Sequence, residues 1–288
     1  MKVASSPQEL GAGDRAVAIG TFDGVHLGHR RVLEAALAAG PQAAVVTFDP
    51  HPRVALGHRV ELITTLERRL ELIAALGVPE TLVVPFTPDL SLATPEEFAR
   101  SVLEPLGARV VVAGANFRFG RGRSGDLDTL AGLGFDARPV PLVEGVSSSR
   151  IRQLVTAGEV WRAAKILGRP VEVEGTVVAG DARGGTLGFP TANIAAPSDL
   201  LVPPFGIYAG EALGHRAATS IGVNPHYGGE ERRIEAFLLD YEGDLYGRRL
   251  VVELWERLRE ERAFESESEL IAQIGKDVEA TRAAVKPV

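Results

Sequence analysis

The chain has 288 residues, of which 45% are hydrophobic, 24% charged and 6% aromatic, a balance that supports a sizeable core and excludes disorder or a fibrous repeat as the whole-chain reading. It contains no cysteine, which removes disulfides, thiolate nucleophiles, iron–sulfur clusters and cysteine-ligated zinc. A formal net charge of −7 gives no long-range attraction to nucleic acid or an anionic membrane, and the start MKVASSPQEL has no apolar leader, so the expectation is a soluble, cytoplasmic protein with no nucleic-acid or membrane partner.

From Ala16 to about Gly168, short apolar runs alternate with segments of helical period, which predicts βα units on a parallel sheet. The predicted strands are AVAIG, AAVVTF, TLVVPF and RVVVAG. Between them LGHRRVLEAALAA, TLERRLELIAAL and TPEEFARSVLEPL carry apolar residues three and four apart, and Gly40 and Gly77 stand where helix ends favour glycine. The third helix has a start signal: Thr94 as cap, Pro95 in the first turn and Glu97 completing a capping box.

After the helical stretch SSSRIRQLVTAGEVWRAAKILG the texture changes. PVEVEGTVVAG, GIYAGEAL, ATSIGV, RIEAFLLDY and RRLVVELWERL read as near-consecutive strands with Gly- and Pro-rich connections, the pattern of an antiparallel sheet or small barrel. Two domains are expected, 1–167 and 168–288, with the boundary near Gly168. The amphipathic helix ESELIAQIGKDVEATRAAV, begun by Ser266 or Ser268, closes the chain against the barrel.

Lysine is confined to Lys2, Lys165, Lys276 and Lys286, none of them in a G-x-x-x-x-G-K-[ST] loop, so a Walker kinase is excluded. The segment GTFDGVHLGH, Gly20 to His29, follows the first predicted strand and opens a helix. Gly24 and Gly28 permit close backbone approach there while free helix N–H groups face the loop, a natural phosphate site. His26 and His29, three apart, can both reach one anionic group, although a capped helix with partly buried histidines is the blander reading. Zinc lacks a third ligand at a suitable spacing.

Three more segments follow strands of the same module, at the edge where open α/β sheets bind ligands. TFDPHPR holds His51 and Arg53 in a loop stiffened by two prolines. GANFRFGRGRSGD combines Asn116, two phenylalanines and three arginines; its match to the dinucleotide fingerprint is accidental, since it does not follow the strand directly. VSSSRIR sets three hydroxyls at a helix start with two arginines behind them, which is a serine cap or part of a phosphate site.

In the second module, VVAGDARGGTLGFPTANI contains four glycines and then Pro190, so a tight loop and a rigid turn are expected. Thr191 and Asn193 project to one side of an extended chain, which suits a hard cation such as Mg²⁺ or a turn that satisfies its own backbone. In RIEAFLLD, Glu235 stands in an apolar strand and needs a partner or a task, an ion pair with an arginine or catalysis.

As an ordered set, GTFDGVHLGH, TFDPHP, NFRFG and SSSRIR resemble the nucleotidyltransferase module of bacterial bifunctional riboflavin kinase/FAD synthetases. GFPTAN, PPFGIYAG, SIGVNP, IEAFLLD and DLYG resemble the riboflavin kinase module of the same enzymes. Two departures are His226 after Pro225, where the family usually has threonine, and a short connection from Glu211 to Ala218.

The resemblance implies an α/β Rossmann-like nucleotidyltransferase domain followed by an antiparallel β-barrel riboflavin kinase domain with a C-terminal helix. It implies ATP as co-substrate, Mg²⁺ as cofactor, riboflavin and FMN as substrates, and FMN and FAD as products. In the first module it implies His26 and His29 at the transferring phosphoryl group, with Gly20, Phe22, Asp23, Gly24, Gly28, Ser148, Ser149 and Arg152 around ATP and Asn116, Phe48 and His51 at the flavin. In the second it implies Glu235 as base, Thr191 and Asn193 at the metal, and Gly188 and Pro190 at ATP. A flavin- or nucleotide-binding protein without turnover, or an enzyme with one active half, are the rival readings.

Overall fold

A computed structural model describes residues 1–40, 42–180, 189–223 and 232–288, and the chain divides into two compact units, Met1–Ser148 and Ser149–Val288. The first is built on a six-stranded parallel sheet in the order β1-β4-β3-β2-β5-β6. Its strands are β1 (Lys2–Ala4), β2 (Arg15–Ile19), β3 (Ala43–Asp49), β4 (Glu80–Pro85), β5 (Ala108–Gly114) and β6 (Asp136–Val140). The helices are α1 (Leu27–Ala39), α2 (Pro52–Ala55), α3 (Leu66–Ala75), α4 (Pro88–Leu92), α5 (Pro95–Phe98) and α6 (Leu127–Gly132).

Both faces of this sheet are covered, which is why its central strands read as continuous apolar runs. Ala18, Val45 and Val112 pack with Val32, Leu33 and Ala36 of α1 and Ile73 of α3. Val17, Val46 and Val111 point the other way, into a cluster with Phe98, Leu103, Leu106 and Leu130. The expected third helix begins as its capping box requires, with Thr94 Oγ1 accepting from Glu97 N and Glu97 Oε2 from Thr94 N. It continues beyond Phe98 as a π turn, Ala99–Leu103, in place of a regular helix.

Arg15 holds the amino end of the sheet. Its side chain is fully buried, and Nε meets Glu80 at 2.7 Å while Nη1 and Nη2 donate to the carbonyls of Gly11, Gly13, Leu106 and Leu10. One guanidinium thereby ties Glu80 to carbonyls of two other chain segments, residues 10–13 and Leu106.

In the second unit six antiparallel strands close a barrel in the order β10-β11-β8-β7-β12-β9, so the alternative of an open sheet gives way to a structure without free edges. They are β7 (Val171–Val178), β8 (Ala192–Ala195), β9 (Gly206–Ala212), β10 (His215–Val223), β11 (Arg232–Leu238) and β12 (Arg249–Arg259). Helices α7 (Ser148–Thr156) and α8 (Val160–Leu167) precede the barrel, and α8 packs on β12 and β7. The closing helix α9 (Glu267–Ala283) is capped by Ser266, whose Oγ accepts from Glu269 N, and packs on β9 and β10. The bidentate pair of Arg259 with Asp277 ties it to the end of β12.

Arg15→Met should lower the stability of the first unit by about 3–5 kcal/mol, because it leaves four backbone carbonyls without this donor and strips the half-buried Glu80 of its charged partner. In denaturant melts of the full chain, the transition of the parallel-sheet unit is expected to move to lower denaturant while that of the barrel stays in place.

Candidate functional site

Strand β2 lies where the order of the sheet turns, with β3 on one side and β5 on the other. Ligands of open α/β sheets bind outside the carboxyl ends of strands at such a point. Here GTFDGVHLGH leaves β2 and the Asn116 loop leaves β5. The first loop is strained: Phe22, Gly24 and Val25 all have positive φ, at 50°, 85° and 37°. A Cβ on Gly24 would meet Ile63 Cγ2 at 2.9 Å, and the Gly24 N–H donates to Thr64 Oγ1 at 3.1 Å.

Asp23 anchors that loop. It has no exposed surface, and its Oδ1 accepts from the backbone of Ile63 at 3.0 Å and Thr64 at 3.1 Å. The Asp23 carboxylate, expected near ATP, is turned into the backbone of residues 63 and 64 and so shapes the loop that carries it. The Asp23 carbonyl accepts from Ser148 Oγ, which brings the start of the SSSRIR segment to the loop. Gly20 lies over the buried ring of Phe22, where a Cβ would come within 3.2 Å of Cζ.

His26 caps α1, its Nδ1 accepting from His29 N at 3.2 Å, and the two imidazoles stack with centroids 3.6 Å apart. A Cβ on Gly28 would lie 3.1 Å from His26 Cε1, so the glycine lets that ring lie against the helix start. The edge of Phe22 meets the His29 ring. The cap and the paired imidazoles are thus one arrangement, not alternatives.

Of the residues expected at the flavin, Asn116 is exposed on the loop after β5. His51 is buried and caps α2, its Nδ1 accepting from Arg53 N. The ring of Phe48 is buried against Phe86 and Phe98. The Phe48 carbonyl accepts from Nη1 of Arg69 at 3.1 Å, and the same nitrogen reaches Thr47 Oγ1, which donates to the Thr21 carbonyl. Arg69, in the middle of an ordinary helical pattern, was invisible to motif reading. Burial lowers its pKa from the ordinary arginine value, and the charges of Asp23 and Asp49 oppose that shift.

In the second unit, Ser149 is exposed and Arg152 half-buried on α7. On β11 the residues Ile234, Ala236 and Leu238 point into the barrel, while Arg233, Glu235 and Phe237 are half-buried on its outer face. Glu235 pairs in register with Asn193 of β8 and with Ser220 of β10. Its Oε1 accepts from Thr191 Oγ1 at 3.3 Å and from Arg233 Nη2 at 2.8 Å. The expected base and both expected metal residues therefore form one cluster. Pro190 is exposed beside it, and Gly188 lies outside the described residues, as do Pro225 and His226.

Glu261, in the segment after β12, was also missed. Its carboxylate rests on Gly222, which pairs with Arg233, and a Cβ there would come 2.3 Å from Oε1. Burial pushes its carboxyl up; Arg259 opposes the shift and the charge of Glu235 adds to it. The only sequence signal was a glycine late in a strand, which marks a close approach without naming the visitor. Among the described residues no group of three or more His, Asp or Glu is disposed to hold a metal.

The FAD synthetase family model matches residues 10–150 and the riboflavin kinase family model residues 167–285. The bifunctional riboflavin kinase/FMN adenylyltransferase of Listeria monocytogenes is 38% identical over 94% of this chain and 92% of its own length. The chain belongs to the bifunctional riboflavin kinase/FMN adenylyltransferase family. The Bacillus subtilis member is 36% identical over 91% of this chain and 89% of its own. A crystal structure described as a macrolide-efflux protein from Streptococcus pneumoniae superposes with a TM-score of 0.86 and 31% identity, over 97% of this chain and 98% of that one. Among the described residues of this family member no helix is long and apolar enough to cross a membrane.

Because folding holds the Glu261 proton more tightly than the unfolded chain does, unfolding releases it above the ordinary glutamate value of about 4.3, and stability falls as pH rises through that window. Glu261→Gln should raise the melting temperature of the barrel slightly at pH 7, since the residue as a whole is exposed. Melting curves of the two proteins should converge as the pH is lowered below about 4.

Proposed function

We propose that the chain phosphorylates riboflavin with ATP in its barrel and transfers AMP from a second ATP to FMN in its parallel-sheet unit, giving FAD and pyrophosphate. The observation that carries this reading is that each cluster falls inside its own family match: His26 and His29 within 10–150, Thr191, Asn193 and Glu235 within 167–285. In adenylyl transfer the FMN phosphate attacks the α-phosphorus of ATP, a new P–O bond forms and the bond to the leaving pyrophosphate breaks. His26 and His29, with backbone N–H groups of the Gly20–Gly28 loop, Ser148, Ser149 and Arg152, stabilise the charge that builds on the phosphoryl oxygens. Asp23 and Phe22 belong to that loop, and Asn116, Phe48 and His51 bound the flavin.

In the kinase step the ribityl hydroxyl attacks the γ-phosphorus while Glu235 takes its proton. Thr191 Oγ1 and Asn193 Oδ1 are hard oxygen donors on neighbouring positions of one face, a set that fits Mg²⁺ in kind. When bound there, Mg²⁺ supplies charge neutralisation on the ATP phosphates. By the resemblance, Gly188 and Pro190 contact ATP. The protein works in the cytoplasm on small molecules, without a nucleic-acid or membrane partner.

The division of labour falls at Gly168, with 1–167 for adenylyl transfer and 168–288 for phosphorylation. Helices α7 and α8 lie before that boundary, yet Val160, Ala163, Ala164 and Leu167 of α8 pack with the barrel unit. A fragment of residues 149–288 should therefore phosphorylate riboflavin and melt at a higher temperature than one of residues 168–288. Equal melting temperatures would remove α7 and α8 from the barrel's stability.

Incubation with riboflavin, ATP and Mg²⁺, followed by chromatography, should yield FMN and then FAD; FMN alone would mean one active half, and neither would mean a binding protein. His29→Ala is expected to slow FAD formation from supplied FMN by roughly 10²–10³ while leaving riboflavin phosphorylation near wild type. Equal loss of both activities would take His29 out of the transfer chemistry.

A further inference from the structure

The two oxygens of Glu235 are in different surroundings. Oε1 accepts from Arg233 Nη2 at 2.8 Å and from Thr191 Oγ1 at 3.3 Å, and among the described residues Oε2 accepts no hydrogen bond. The same guanidinium turns its Nε to Asn193 Oδ1 at 3.1 Å. Asn193 and Glu235 are register partners across β8 and β11, and Arg233 stands two residues before Glu235 on the same half-buried face. A planar guanidinium can grip a carboxylate and an amide oxygen at once in fixed directions, which the point charge of a lysine cannot.

We propose that Arg233 is a positioning residue of the phosphorylation site: its fork fixes Glu235 Oε1 against Asn193 Oδ1 and so presents Glu235 Oε2 to the substrate hydroxyl. The inference rests on the reading of Glu235 as base. In the step it serves, the hydroxyl O–H bond breaks and its proton goes to Oε2. The hydroxyl oxygen bonds to the γ-phosphorus, and the bond from that phosphorus to the β,γ-bridging oxygen breaks, leaving its electron pair on ADP. Arg233 touches neither substrate; its effect is on where the accepting oxygen points. Misplacement of a reacting group by an ångström is enough to cost about 10²-fold in rate. An arginine that merely masks the carboxylate until substrate arrives has the opposite signature, because its removal frees the base.

The test compares Arg233→Ala, Arg233→Lys and Glu235→Gln in the full chain, with steady-state phosphorylation of riboflavin by ATP and Mg²⁺ and, as internal control, FAD formation from supplied FMN. For Arg233→Ala the expected result is a fall in kcat of roughly 10- to 100-fold with KM for riboflavin and for ATP little changed. Added ethylguanidinium should restore part of that turnover, Arg233→Lys should recover less than the wild type because an ammonium cannot span both acceptors, and Glu235→Gln should be inactive and beyond rescue. Adenylylation should be unaffected in all three. Turnover of Arg233→Ala at or above the wild-type rate, with Glu235→Gln inactive, would overturn the positioning role and leave the base. Turnover by Glu235→Gln close to wild type would overturn the base itself. If Arg233→Ala loses turnover together with its barrel melting transition and ethylguanidinium restores neither it nor Arg233→Lys, the residue is a packing element and the proposal falls.

Discussion

Asp23 has its charge met by the backbone of the facing segment, Ile63 and Thr64, and the nucleotide half of the molecule depends on that contact. A carboxylate with no exposed surface is tolerable only with donors around it, so the loop that carries Asp23 cannot move independently of residues 63 and 64. The positive φ values of Phe22, Gly24 and Val25 persist because this anchor over-determines them. Arg69 adds a buried cation beneath, bonded to the Phe48 carbonyl and to Thr47. The imidazoles of His26 and His29 then stand, capped and stacked, on a frame fixed by the fold itself.

The barrel solves the corresponding problem differently. Its candidate site residues come from neighbouring strands, and ladder register brings them together: Asn193 opposite Glu235, with Ser220 on the other side of Glu235 and Gly222 opposite Arg233. A slip of one residue would turn Glu235 into the barrel interior. Closure of the barrel removes the freedom to slip, so the same ladders that hold the fold also hold the candidate cluster.

What could be read in the sequence followed the strength of local signals. The strands β2 to β5 and the helices α1 and α3 were legible because buried parallel strands and amphipathic helices leave unmistakable periods. The three residues of β1 are too few for a pattern, and β6 carries Asp136, Arg138 and Pro139 on an edge, where proline and charge are acceptable. Thr94, Pro95 and Glu97 told where a helix begins but not that it relaxes into a π turn. The apolar stripes of α7 and α8 announced that they bury a face, without saying which unit supplies its partner. At the sites, the anomaly of Glu235 was plain, yet its arginine sits only two residues away, a spacing that is a contact in a strand and not in a helix. Arg69 and Glu261 were hidden for a different reason: each acts on a segment far from it in sequence.

The order in which strands join the barrel matters as the chain is made. All six strands of the parallel sheet exist once Val140 has been added, whereas two of the six barrel ladders, β12 with β7 and β12 with β9, wait for residues 249–259. Until then β7 and β9 each present an open edge of unpaired backbone, the feature that recruits wrong strands. A nascent chain emerging from the ribosome therefore carries a nucleotide-binding half able to complete itself beside a kinase half that cannot. Its last stretch of synthesis is the interval in which chaperone protection counts most.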